Sequence, residues 1–319
     1  MDYVWLITGL ALVALGAEFL VRGAVGLAGH YGVSPLLVGL TIVAWGTSAP
    51  ELVVGVNAAL MGSTGLAVGN AVGSNIFNIL AIVGIAALLA PIPSPKREAI
   101  VRDGAIGIAA AAILFGVALW RKEIGMLAGL AFLAALALYM LFVFVEARLH
   151  LVRSPRVAVA KELEKKIRWP VLPGVISVVT GLGALIYGAT LLVDSGTAIA
   201  RSWGVSDTII GLTLIAGGTS LPELATSAVA TLRRQGDIAI GNVLGSNIYN
   251  ILGILGASAL VRPLPVPPRI VAFDLPVLLA ASLFLLFLLF FQRRVGRAAG
   301  LVLVLAFALY IFATYSGWA

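Results

Sequence analysis

The sequence has no cysteine, two histidines, and charge on only 11% of its 319 residues. Without cysteine there is no disulfide, no thiolate metal site and no thiol nucleophile. His30 and His150 fall at expected helix ends, which argues against a histidine metal centre. A soluble chain of this length needs far more charge to cover its surface. Here 61% of residues are hydrophobic and the mean hydropathy is +1.09, so most of the surface must face lipid. No basic segment precedes the first apolar run, which therefore reads as a retained helix and not a cleaved signal. The formal charge of +7 does not point to nucleic acid, because the basic residues sit in short loops between apolar runs.

The apolar runs predict ten spans, near 3–23, 34–60, 66–90, 99–119, 124–146, 171–195, 206–232, 238–260, 271–291 and 298–317. The one long polar stretch, about 147–170, divides the chain into a first five-helix unit, 1–146, and a second, 171–319. Alternate loops form two sets, one holding 16 of the 21 Lys and Arg residues and the other 5. The positive-inside rule places the richer set in the cytoplasm, with the 147–170 linker cytoplasmic and both termini outside. The linker should touch anionic lipid, and Trp5, Trp120, Trp169, Trp203 and Trp318 read as interface anchors.

An internal repeat organises the rest. Residues 39–84 and 211–256 align without a gap at an offset of 172, with 24 of 46 positions identical. The identities are largely Gly, Thr, Ser, Pro, Glu and Asn, which a lipid-facing helix has no use for. Five spans per half mean that the second copy enters the membrane upside down. Inverted repeats of this kind place a binding site at their interface near the midplane. The fold expected is thus an all-α polytopic membrane protein of ten transmembrane helices, built as two inverted five-helix repeats with helices broken at the midplane.

The motifs at 46–51, GTSAPE, and 218–223, GTSLPE, lie inside apolar spans. An internal proline removes one N–H and clashes with an earlier carbonyl, and Ser or Thr ahead of it favours a fresh helix start. Two half-helices with a short unwound join are expected, with carbonyls at Ala44 and Ala216 freed toward a ligand. Glu51 and Glu223 then stand deep in the membrane, where a carboxylate is costly. No Lys or Arg lies in the core of a span to neutralise them, so a cation, a proton or a water-filled path must. The second motif, GNAVGSNIFN at 69–78 and GNVLGSNIYN at 241–250, puts Ser74 with Asn78 and Ser246 with Asn250 on shared helix faces. Carboxylate, hydroxyl, amide and carbonyl oxygens suit hard cations such as Ca2+ and Na+. A buried ion pair or a protonated structural acid is the plainer reading of the glutamates, but it leaves their duplication unexplained. For the glycines of the second motif, close helix packing is the plainer reading and is compatible with ligation by their neighbours. Glu18 should pair with Arg22 four residues on; Asp237 reads as a helix N-cap, Asp194 and Asp207 as loop or helix-end residues, and Asp274 as a residue near a helix start. Trp45 stands opposite Gly217 in the repeat, and either shapes one half of the site or packs.

These residues resemble the sodium/calcium exchangers of the cation/calcium antiporter superfamily, of the prokaryotic type without a regulatory domain, and the two copies look like that family's alpha repeats. The resemblance covers the ten-span plan. It implies Glu51 and Glu223 as central ligands, with Thr47, Ser48, Ser74, Thr219, Ser220 and Ser246 around them, Asn78 and Asn250 completing the centre, and backbone oxygens of Ala44 and Ala216 at sodium sites. It implies alternating access, with about three Na+ or one Ca2+ bound, no cofactor and no catalytic residue. Potassium-dependent members and some prokaryotic ones carry Asp where this chain has Asn250, so potassium independence is expected. Proton-coupled relatives set the acid in a GNAxE-like motif, so acids in GTSxPE favour sodium. A Ca2+/H+ or broader divalent/H+ antiporter is the alternative, and a cation channel a remote one. A single chain with broken midplane helices suits a carrier, here expected to work as a monomer.

Overall fold

The computed structural model describes residues 1–153, 171–204 and 216–316. Its helices are α1 (Asp2–Tyr31), α2 (Pro35–Thr47), α3 (Ala49–Leu60), α4 (Thr64–Leu89), α5 (Arg97–Arg121), α6 (Met126–Arg153), α7 (Val171–Ser202), α8 (Leu221–Leu232), α9 (Gly236–Val261), α10 (Ile270–Phe291) and α11 (Arg297–Tyr315). Among the described residues eight of these are long and apolar enough to cross a membrane singly, and α2 with α3 forms a ninth span bent by 47°. The remaining expected span, 206–232, the seventh along the chain, is described from Ala216 onward: a short helical turn Ala216–Gly218, a break at Thr219 and Ser220, then α8. The 147–170 linker lies outside the described residues from 154 on, as does Asp207.

Local chemistry sets the boundaries. Gly32 ends α1 in a left-handed conformation, φ 64°, open to glycine at little cost. Ser34 then caps α2, its Oγ accepting from the Leu37 N–H at 3.2 Å, with Pro35 in the first turn. Pro50 and Pro222 occupy the first turns of α3 and α8, so each proline starts a half-helix, as the motif implied. Four stretches, Gly39–Val43, Asn78–Ile82, Tyr249–Ile254 and Ile270–Asp274, widen to π-helix. Such bulges loosen the regular ladder, and three of these, among the described residues, lie within the repeated segments 39–84 and 211–256.

α1 and α7 run further than expected, to Tyr31 and Ser202 rather than 23 and 195. Their 30 and 32 residues span about 45 Å or more at 1.5 Å per residue, longer than a bilayer core. The two pack antiparallel along glycines spaced by seven, Gly9 on Gly188, Gly16 on Gly181 and Gly23 on Gly174. A Cβ built on Gly16 would lie 2.7 Å from the Leu185 nitrogen and 2.8 Å from the Gly181 oxygen, so the backbones touch. This pair carries its own buried cluster with Ala230 of α8, part of α2 and the first turn of α9, separate from the larger core made by α4 to α6, the rest of α9, α10 and α11, with residues of α2 and α3. α9 is almost wholly enclosed, and α11 mostly faces outward.

Two tiny ladders tie the loops. Ile92–Pro93 (β1) pairs with Arg294–Val295 (β4), and Glu123–Ile124 (β2) with Leu264–Pro265 (β3). The loops that carry Lys96, Arg293 and Arg294 therefore share one face, and those that carry Lys122 and Arg262 share the other, in the two sets read from charge. Glu18 pairs with Arg22 as expected and also receives Arg233 Nε at 2.9 Å, while a Cβ on nearby Gly236 would stand 2.7 Å from Pro93 Cδ, which places this corner on the Lys96 face, the lysine-rich one.

Some acidic side chains differ from expectation. Asp237 lies in the first turn of α9, and the N-cap position belongs to Gln235. Asp194 lies inside α7, which runs past its expected end. Asp274 does lie near the start of α10, and there it is buried and accepts from Tyr310 Oη at 2.8 Å, with Arg269 at 3.5 Å. Its partner by symmetry is Asp103, wholly buried, which accepts from Tyr139 Oη at 3.3 Å and from both Nε and a terminal nitrogen of Arg102 at 2.7 Å. Arg102 reaches on to Glu146. Removing one partner from a buried ion pair strands the other charge, at a cost of about 3–5 kcal/mol. Arg102→Ala should therefore lower the thermal unfolding midpoint of the detergent-solubilised protein well below wild type, and an unchanged midpoint would contradict this role.

Candidate cation site

The bend between α2 and α3 sets Thr47 and Ser48 one turn before Glu51, and the break before α8 sets Thr219 and Ser220 one turn before Glu223. The inverted repeats cross these two joins. Ser48 Oγ donates to Glu223 Oε1 at 2.8 Å and lies 2.9 Å from Ser246 Oγ. Ser220 Oγ donates to Glu51 Oε1 at 2.8 Å and lies 3.4 Å from Ser74 Oγ. Each hydroxyl thus serves the acid of the other half. Both carboxylates are 1% exposed, which leaves water no direct part in solvating them.

Their second oxygens are the telling feature. Glu51 Oε2 and Glu223 Oε2 are buried with no hydrogen-bond partner, and so are Asn78 Oδ1, Asn250 Oδ1 and Thr219 Oγ1. Buried polar atoms are nearly always paired, because an unpaired one forfeits its solvation. Among the described residues, neither glutamate has an ion-pair partner. Two acids, two amide oxygens and flanking hydroxyls, all acceptors with neither sulfur nor imidazole, form a donor set for a hard cation.

Hydrogen bonds bring Glu51 together with Ser220 and Ser74, and Glu223 with Ser48 and Ser246; Asn78 and Asn250 stand one turn on from Ser74 and Ser246 along the same helices, and Thr219 adjoins Ser220. Thr47 is buried but already engaged, 3.1 Å from the Val43 carbonyl and 3.2 Å from Asn242 Oδ1. The Ala44 carbonyl is not released by the break. It accepts from the Ser48 N–H at 3.0 Å and lies 3.3 Å from Thr47 Oγ1. The reason is spacing: the N–H missing at Pro50 is the one that would pair with Gly46, four residues back, and not with Ala44. Ala216 opens the first described turn of its half, and its side chain lies outside the described residues. Trp45 tilts against Tyr249, ring centroids 5.3 Å apart, and packs beside the site.

The sequence reading passed over the first asparagine of each GNxxGSN motif. Asn70 Nδ2 donates to the Glu51 carbonyl at 3.2 Å, and Asn242 Nδ2 lies 3.4 Å from the Glu223 carbonyl and donates to Ser227 Oγ at 3.1 Å. Their identity in both copies was the signal available. The copies differ in what covers them. Gly241 and Gly245 are closed by α2, a Cβ on either falling 2.5 Å from the Leu36 or Leu40 carbonyl oxygen. Their counterparts Gly69 and Gly73 border a cavity of about 280 Å3 shared with Asp274 and Tyr310. 

An acidic cage between two inverted helix-break motifs defines a membrane carrier of cations. A family model described as sodium/calcium exchanger protein matches residues 1–145 and 173–316. The chain is 36% identical to the putative antiporter CaxA of Alkalimonas amylolytica over 98% of each protein. It is 33% identical to the sodium/calcium exchanger MaX1 of Methanosarcina acetivorans over 98% of this chain and 97% of that one. A solved structure of the sodium-calcium exchanger NCX_Mj, soaked with zero Na+ and Ca2+, superposes with a TM-score of 0.82 at 32% identity, covering 99% of this chain and 98% of that one. The chain belongs to the sodium/calcium exchanger family, a family of transporters.

Proposed function

We propose that this protein exchanges Na+ for Ca2+ across the cell membrane by alternating access, electrogenically and without potassium. The observation that carries the reading is the pair of buried, partnerless carboxylate oxygens of Glu51 and Glu223, with two partnerless amide oxygens, of Asn78 and Asn250, one turn on from Ser74 and Ser246. In this reading Ca2+ sits between Glu51 and Glu223, with Asn78, Asn250, Ser74 and Ser246 nearby. Sodium ions use the same acids with Thr47, Ser48, Thr219 and Ser220, and Ala44 and Ala216 are the backbone positions that the family resemblance assigns to them. Two carboxylates balance one Ca2+, whereas three Na+ leave one positive charge in excess. Moving that charge is worth about 2.3 kcal/mol per 100 mV. The lysine-rich face, with the 147–170 linker, is cytoplasmic, both termini are outside, and a single chain surrounded by lipid is the working unit.

Radiocalcium uptake into proteoliposomes tests this, with Na+, K+ and pH gradients imposed separately. Uptake driven by outward Na+ and altered by a clamped voltage is the expected result. Uptake driven by pH alone would instead make protons the counter-ion, the alternative that two acids without cationic partners leave open. The crossed serines offer a finer test. A hydrogen bond to a charged group contributes about 1.5–3 kcal/mol, so Ser48→Ala or Ser220→Ala should raise the Ca2+ needed for half-maximal uptake by about tenfold or more. Because the two serve one cage, the double variant should deviate from the product of the single effects. Unchanged Ca2+ dependence in both single variants would remove the serines from the site.

A further inference from the structure

The cage needs oxygens, but an asparagine amide has two nearly identical ends, and only one attracts a cation. Asn78 and Asn250 are 1% exposed, so no solvent contact sorts their ends. Something in the fold must do so, and the hydrogen bonds show what. Asn75 Nδ2 donates to the backbone carbonyl of Asn247 at 3.1 Å. A carbonyl only accepts, so this bond fixes which end of the Asn75 amide is nitrogen. Asn75 Oδ1 must then face the other way, where Asn250 Nδ2 meets it at 2.9 Å. With its nitrogen held there, Asn250 has its oxygen on the far side, buried and without a partner. The mirrored contact has Asn78 Nδ2 donating to Asn247 Oδ1 at 3.0 Å, and Asn78 Oδ1 is likewise left without a partner.

We propose that Asn75 and Asn247 are positioning residues: each clamps the amide nitrogen of the other repeat's ligand, Asn250 or Asn78, so that an oxygen and never an N–H2 faces the transported cation. The proposal rests on the transport reading above. Both clamps run between α4 and α9, so they also join the two repeats at the site while leaving α1 and α7 outside the network. Neither clamp residue touches the cation. Their part is to stop an amide flip that would turn a ligand into a repellent donor.

The test exploits the difference between an amide and a carboxylate. Asp has two equivalent oxygens and needs no clamp to present one. Thermal unfolding of the purified full-length protein is followed while Ca2+ alone is titrated, since a ligand that binds the folded state raises its midpoint. Asn75→Ala should raise the Ca2+ concentration for half-maximal stabilisation about tenfold, whereas in an Asn250→Asp background the same change should move it by less than about twofold. Maximal uptake at saturating Ca2+ should stay within about threefold of the parent in both backgrounds, because the clamp sets orientation and not the translocation step. An equal loss in both backgrounds, or no loss in either, overturns the proposal. Should Asn75→Ala unfold without Ca2+, the mirrored set, Asn247→Ala with and without Asn78→Asp, gives the same comparison. If Ca2+ fails to stabilise the unaltered protein at all, the transport reading itself is lost, a result distinct from loss of the clamp.

Discussion

Glu51→Gln should reduce sodium-driven calcium uptake at least a hundredfold, and Glu223→Gln should match it. Each substitution keeps the side chain's size and the serine that contacts it, Ser220 for Glu51 and Ser48 for Glu223. What it removes is one of two negative charges in a site without another ion-pair partner among the described residues. Leaving a buried charge unpaired costs about 3–5 kcal/mol, and a divalent ion facing one carboxylate carries just such a deficit. At about 1.4 kcal/mol per factor of ten, that is a hundredfold or more. The same change should not harm the fold. An ion-free site holding a single buried carboxylate carries less electrostatic cost, so the unfolding midpoint without Ca2+ should equal or exceed that of wild type. Initial rates of uptake measured beside that midpoint separate the two effects. A variant that keeps more than a tenth of wild-type rate would show that its acid is not a ligand.

The second large effect is expected far from the cage. Gly16→Leu, or Gly181→Leu across from it, should cut exchange to below a tenth while Ca2+ affinity at the centre changes by less than threefold. Apolar attraction between helices is weak in lipid, so close backbone approach and van der Waals contact must hold α1 to α7. At Gly16 even a Cβ would stand at 2.7–2.8 Å from backbone atoms of α7, and at Gly181 at 2.6–2.8 Å from those of α1. Neither backbone can yield without the helices moving apart, so a leucine must separate them. The pair lies outside the larger core, to which α4 and most of α9 with the proposed calcium ligands belong, and it contacts α2 and α8, which flank the two breaks. Such a unit suits the moving part of a carrier, and its integrity should matter to translocation more than to binding. Equal damage to Ca2+ affinity and to transport would refute this division; full transport in Gly16→Leu would show that the contact is dispensable.

The central pairing was legible in the sequence because it rests on identity. Ser48, Pro50 and Glu51 recur unchanged at 220, 222 and 223, and an inverted duplication can bring equal residues together only across its own axis. The Asp103–Tyr139 and Asp274–Tyr310 pairs were not legible. They repeat at 171 and not at 172, so one residue lost between motif and outer helices hid them from an ungapped alignment. Hydropathy placed the spans but not the ends of α1 and α7, since glycine and alanine continue a helix past the bilayer without a strong apolar signal. The roles of Asn75 and Asn247 depend on which atom of an amide faces which neighbour, and no periodicity encodes that. The Ala44 carbonyl keeps its helical bond because Pro50 frees the carbonyl four residues back, at Gly46, and its second lone pair remains for a ligand.

One measurement bears most directly on the shared cage. Crystals of the full chain soaked in Sr2+, a Ca2+ surrogate with a usable anomalous signal, should show one strong peak within about 3 Å of oxygens from Glu51, Glu223, Asn78 and Asn250, a distance set by hard-cation coordination. The peak should vanish in Glu51→Gln crystals. Strontium bound elsewhere, with this cage empty at saturating concentration, would contradict the account.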